Sequence, residues 1–217
     1  MWKTVSRRLQ SSVRLPLFIL CLMWGIQAVQ SLARLDLGIL GVYPRRVEGL
    51  WGVLLSPLVH GGFGHLLSNS IPLFVLSALV LFFYRRVALP AIGWIYLLTG
   101  VLVWTFGRPV YHVGASGVVY GLVAFVFWTG VFRRNFKSIA LAGLVLFYYG
   151  SMFIGILPGE DGVSWESHLL GAGAGVVVAF WYKDKLERDE ERRVLPEDEE
   201  ASRYFLERDT FEKKRDI

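Results

Sequence analysis

The sequence predicts an all-α membrane protein with six transmembrane helices, and three observations carry that reading. Of its 217 residues 54% are hydrophobic, eight of them Trp, and the mean hydropathy is +0.46, too apolar for an ordinary water-soluble domain. Six stretches, residues 15–33, 66–84, 88–106, 115–132, 138–157 and 167–182, are apolar enough and long enough to cross a hydrocarbon layer about 30 Å thick. Lys and Arg are biased to one side of that plan. Nineteen of the 23 fall in the two termini and the connections on the same side, and only Arg34, Arg45, Arg46 and Arg108 fall on the other. By the positive-inside rule both termini are cytoplasmic.

The elements follow in order. Residues 1–14 form a basic cytoplasmic segment and 15–33 the first helix. A signal peptide ending near Ser31-Leu32-Ala33 is the alternative, but the apolar run exceeds a usual signal core and the chain soon returns to the membrane. Cys21, the single cysteine, lies there, so no disulfide forms within the chain. An outer connection follows, with turn signals at Gly38, Gly41, Pro44 and Gly49 and an apolar stretch from Leu50 to Leu55 suited to the membrane interface. It ends in His60-Gly61-Gly62-Phe63-Gly64-His65, where the second helix, interrupted by Pro72, enters. The outer loop from Gly107 to Val113 delivers the chain to the fourth helix. Helices four and six carry glycines four apart, Gly117 with Gly121 and Gly171 with Gly175, a spacing that lets two backbones approach closely. Residues 15–182 therefore form one membrane domain. Residues 183–217, with 10 basic and 13 acidic side chains, are a charged cytoplasmic tail, either a solvated helix or disordered. The net charge of +5 fits this topology and attraction to anionic lipid; no motif makes it a nucleic-acid signal.

Polar side chains within the membrane are costly and mark function. Ser116 stands in Gly114-Ala115-Ser116-Gly117 at the first turn of the fourth helix, between glycines that let a carbonyl approach its hydroxyl. The N–H groups of that turn have no intrahelical partner and point where an oxyanion would form. His65 with Asn69, Ser116, and His168 all lie near the starts of helices two, four and six, the three that enter from outside, and so at similar depth. His168 is the candidate base. A carboxylate to orient it is missing: no Asp or Glu occurs between Glu48 and Glu160, and Glu166 lies about 200° around the helix from His168. The residues therefore predict a Ser–His dyad, with Tyr120, one turn after Ser116, packing against His168. His65 and Asn69 supply oxyanion donors beside the Ser116 N–H. His60 reads either as support for these groups or as purely structural.

The lack of membrane carboxylates excludes an aspartyl protease, and no H-E-x-x-H motif supports a zinc protease. The four histidines lack ligand spacing on one element, so neither a metal nor another cofactor is expected.

The residues His60-x4-His65-x3-Asn69, Gly114-Ala115-Ser116-Gly117 and Ser167-His168-x2-Gly171-x3-Gly175 resemble the rhomboid family of intramembrane serine proteases, with all three motifs in family order over residues 15–182. The resemblance implies a six-helix rhomboid-like bundle, Ser116 as nucleophile and His168 as general base. It implies an oxyanion hole of His65, Asn69 and the Ser116 N–H, Gly114 as the motif glycine, and Tyr120 beneath the histidine. The implied substrate is a transmembrane helix cut near its outer end. Many members have Trp-Arg where this chain has Trp51-Gly52, which leaves the anchoring of the outer connection open. The expectation is thus a multi-pass protease, favouring a bacterial plasma membrane, with membrane-protein substrates and lipid as partners. The rival is a catalytically inactive relative that binds transmembrane helices; the intact Ser116 and His168 count against it.

Overall fold

The computed structural model describes residues 2–158, 164–185 and 187, and the first and larger of its two compact units runs to Asp184. Glu160, Asp161 and nearly all of the charged tail lie outside the described residues. Among those described, the chain is all helical, with one isolated antiparallel bridge between Val42 and His112.

Helix α1 (Trp2–Leu32) starts well before residue 15, so the basic N-terminal residues are its first turns and continuous with the first apolar run. Arg8 explains how that end is held. Its Nε and Nη2 donate to the Phe82 carbonyl at 2.9 and 2.6 Å, and its guanidinium lies over the Phe82 ring, 4.8 Å from the centroid. The outer connection then makes 3-10 turns, a single α turn, α2 (Gly52–Leu55), and a last 3-10 turn. Gly52 stands against the Gly41 and Val42 backbone so closely that any Cβ would collide with it. The connection is thus anchored by backbone contact at the position where an arginine would not fit, and Trp51 beside it is exposed.

Helices α3 (Phe63–Phe83), α4 (Ala88–Phe106), α5 (Ser116–Arg133), α6 (Phe136–Tyr149) and α7 (Trp165–Trp181) complete the bundle. Asn135 and Ser164 cap α6 and α7 by accepting the N–H groups of Ser138 and Ser167, and Arg134, at φ 54°, ends α5 in the left-handed conformation. The expected fifth span is not α helix throughout. Its ladder ends at Gly150 and the chain tightens into a 3-10 segment, Gly150–Ile156. Among the described residues five helical stretches, including α6 with that segment, are long and apolar enough to cross a membrane. The sixth expected stretch, α7, has 17 residues, at the short end of the crossing range.

Helix α5 is the hub, packing on α7 above all and also on α3, α4 and α6. Glycines make its meeting with α7 close. A Cβ on Gly171 would run into the Gly117 carbonyl and one on Gly175 into the Gly121 carbonyl; reciprocally, a Cβ on Gly121 would lie 3.0 Å from the Gly171 oxygen. Gly173, two residues on, has open space at its Cβ. Gly171→Ala should therefore separate the two helices and destabilise the fold by about 1–3 kcal/mol, read as a lower melting temperature in detergent. Gly173→Ala should leave it unchanged, and equal shifts in both variants would count against the seam.

Candidate active site

The seam brings the start of α5 beside the start of α7, and with them Ser116 and His168. The Ser116 hydroxyl lies 2.9 Å from His168 Nε2. His168 Nδ1 lies 2.8 Å from the Gly155 carbonyl. A carbonyl can only accept, so Nδ1 carries the proton and Nε2 is left to accept from the serine hydroxyl. The Tyr120 ring stacks on the imidazole with centroids 4.2 Å apart and planes 9° from parallel, while its hydroxyl donates to the Met152 carbonyl at 2.8 Å. Both carbonyls belong to the 3-10 segment after α6. Nothing in the sequence of that segment advertises the role of Gly155, because the acceptor is backbone. Its one signal is the absence of a side chain: a Cβ at Gly155 would strike the Tyr120 hydroxyl.

The other expected residues gather around this pair. His65, Asn69, Ser116, Tyr120 and His168 all line one cavity of about 670 Å³, together with residues of the loop before α5 and with Met152. Asn69 donates to the His65 carbonyl one turn earlier, at 2.9 Å. Helix α5 begins without a side-chain cap at Ala115, so its first N–H groups remain available at the cavity. Gly114 sits at φ +104°, and a Cβ there would also meet the His65 ring at 2.7 Å. Only glycine meets both conditions.

His60 lies behind this group and is buried. Its Nε2 accepts the Ala115 N–H at 3.3 Å, its ring meets the edge of the His65 ring at 5.0 Å, and its carbonyl accepts from the Gln30 amide of α1 at 3.1 Å. Burial, reinforced by the neighbouring His65, lowers its pKa from 6.5 to about 4. The imidazole is therefore neutral at neutral pH, as an acceptor of a backbone N–H must be.

A second polar group joins the loop before α5 to the start of α7. Arg108 pairs through Nε and Nη2 with both oxygens of Glu166, the Nη2 contact being 3.2 Å. Glu166 thus turns away from His168, as its position on the helix predicted. His112 Nε2 donates to the Arg108 carbonyl at 3.0 Å, and its Nδ1 accepts from the Ser164 hydroxyl at 2.6 Å. Burial lowers the His112 pKa, against the Arg108 carbonyl and the Glu166 carboxylate, which raise it. The sequence reading missed the Arg108–Glu166 and His112–Ser164 contacts, since each joins residues more than fifty positions apart. Among the described residues no group of His, Cys, Asp and Glu is arranged to hold a metal ion.

Several apolar helices around a cavity that holds a paired serine and histidine define a multi-pass integral membrane protein of a recognisable class. The rhomboid domain model matches residues 47–185, and the chain belongs to the rhomboid family. An uncharacterized protein of Mycobacterium tuberculosis is 38% identical over 175 residues, covering 76% of this chain and 72% of that one. An uncharacterized protein of Mycobacterium leprae is 34% identical over 175 residues, covering 76% and 68%. RHOMBOID-like protein 4 of Arabidopsis thaliana is 31% identical over 140 residues, covering 60% of this chain and 33% of its own length.

The His60 environment makes stability pH-dependent. Its folded pKa is about 4 against 6.5 for the free group, so the unfolded chain binds the extra proton first and stability falls as pH drops through that window. The melting temperature of the detergent-solubilised protein should decline across it, and His60→Gln, which cannot take up a proton, should flatten the decline. An unaltered slope in that variant would assign the acid sensitivity to other groups.

Proposed function

We propose that this chain is an intramembrane serine endopeptidase that cleaves transmembrane helices of membrane-protein substrates, using Ser116 and His168 as a catalytic dyad. The observation that carries the reading is the 2.9 Å contact between the Ser116 hydroxyl and His168 Nε2, on the wall of a cavity that otherwise apolar helices enclose. His168 Nε2 takes the proton as the Ser116 oxygen attacks the scissile carbonyl, and the imidazolium returns it to the leaving amine. The acyl-enzyme ester is then hydrolysed by water, activated in the same way. The developing oxyanion is stabilised by the Ser116 N–H, the His65 imidazole and the Asn69 amide. Gly155, which fixes the imidazole tautomer through its carbonyl, does the orienting that a carboxylate does in other serine hydrolases.

A helix satisfies its own backbone hydrogen bonds, so a peptide bond within it is out of reach of a nucleophile until local unwinding exposes it. The substrate is therefore a transmembrane segment whose end enters the cavity and opens there. The distribution of Lys and Arg supports cytoplasmic termini and a cavity facing the opposite, outer side. The mycobacterial relatives support a bacterial plasma membrane.

The test is labelling of the purified, detergent-solubilised chain with a fluorophosphonate probe, beside cleavage of a model transmembrane substrate. Ser116→Ala and His168→Ala should each abolish both while the protein stays folded. Cleavage should also fade as pH falls through the titration of the His168 base. Residual cleavage in both variants, or a folded wild type that neither labels nor cuts, would overturn the dyad and favour a helix-binding protein without catalysis.

A further inference from the structure

The dyad is held by Gly155 and Tyr120, yet the start of α7 is tied at two further points, by groups that the chemistry above does not use. Glu166 precedes His168 by two residues, which places the two side chains about 200° apart around the helix. The Glu166 carboxylate is almost wholly buried, 7% exposed, and both of its oxygens receive the Arg108 guanidinium. A buried carboxylate held in this bidentate way has little freedom of angle. His112 makes the second tie. Its Nε2 donates to the Arg108 carbonyl, so its Nδ1 accepts from the Ser164 hydroxyl; the Ser164 oxygen in turn faces the Ser167 hydroxyl at 2.6 Å and caps α7 by accepting the Ser167 N–H. The His112 backbone is itself fixed, exchanging both of its hydrogen bonds with Val42 at 2.9 Å.

We propose that the Arg108–Glu166 pair and the His112–Ser164–Ser167 chain form a clamp that sets the rotation of the first turn of α7, and through it the position of His168 against Ser116. The proposal rests on reading those two residues as the catalytic dyad. The glycine seam fixes how close α5 and α7 come; it does not fix how α7 is turned about its own axis. Separate ties around the first turn do. The loop that carries Arg108 and His112 also runs directly into Gly114 and Ser116, so one loop positions the nucleophile and, through the clamp, the base. Arg108, His112, Ser164 and Glu166 are positioning residues that act through His168; His112 and Ser164 also reach the cavity wall, but their polar atoms are bonded to each other, to the Arg108 carbonyl and to Ser167.

The experiment compares wild type with Glu166→Gln, Arg108→Gln, the double variant, Ser164→Ala and Ser164→Thr, as full-length protein in detergent at a temperature where melting curves show each to be folded. Fluorophosphonate labelling rate is measured beside kcat and KM on the model transmembrane substrate. A misplaced base costs turnover steeply, about a hundredfold per ångström in well-positioned sites. Glu166→Gln and Ser164→Ala should therefore each lower labelling rate and kcat about tenfold or more, with KM within about twofold. The Arg108 and Glu166 double variant should be no worse than either single, and Ser164→Thr, which keeps the hydroxyl, should restore the rate. Variants that melt earlier but label at the wild-type rate while folded would show a structural brace only and overturn the clamp. Loss confined to KM would overturn it too. A wild type that fails to label would remove the dyad and the clamp with it, whereas an active wild type beside unaffected variants would remove the clamp alone.

Discussion

The structure depends on the contact between α5 and α7, where two helix backbones touch without intervening side chains. In lipid there is little hydrophobic gain from bringing apolar helices together, so close van der Waals packing over small residues carries much of the association. Gly117, Gly121, Gly171 and Gly175 make that packing possible. They also bring the first turns of both helices within reach of each other, which is where Ser116 and His168 stand. Stability and the site are thus products of one interface.

Around that interface the polar groups are arranged so that few of them are charged. His60 is neutral and accepts a backbone N–H, His168 is oriented by a carbonyl, and His112 is tied between a carbonyl and a hydroxyl. An unpaired carboxylate beside His168 would have to be desolvated among apolar helices at considerable cost. Among the described residues, the buried carboxylate at this end, Glu166, lies about 200° around α7 from His168 and is paired with an arginine. The imidazole therefore takes its direction from a carbonyl, while the nearby Glu166 charge is bonded to Arg108.

Much of this was legible in the sequence, for identifiable reasons. Apolar length marks membrane helices directly, and the glycine spacing marks the seam. Ser116, His168, His65 and Asn69 stand out because polar side chains are rare in such surroundings, and their common depth follows from topology. Tyr120 was placed by the helical repeat, one turn from Ser116. What stayed hidden has no side-chain signature or depends on distant pairing. The Gly155 carbonyl is backbone, and the passage from α to 3-10 helix at Gly150 that presents it follows from tertiary partners. The basic start of α1 read as a separate segment, whereas Arg8 docks on the end of α3 and the helix runs through. His112 and Arg108 looked like loop residues because their partners come more than fifty residues later.

The seven residues Gly150–Ile156 bind both helices of the seam: the Met152 carbonyl takes the hydroxyl of Tyr120 on α5, and the Gly155 carbonyl takes the imidazole of His168 on α7. With the contact of Ser116 on His168 and the glycine seam, three members meet in a closed figure. An engineer would call it triangulated. A pair of beams joined along one line can twist like a hinge, but a third member fastened to both removes that freedom without adding mass between them. Here the third member is a short length of main chain, so the two helices are cross-braced by backbone carbonyls rather than by a further charged side chain set between them.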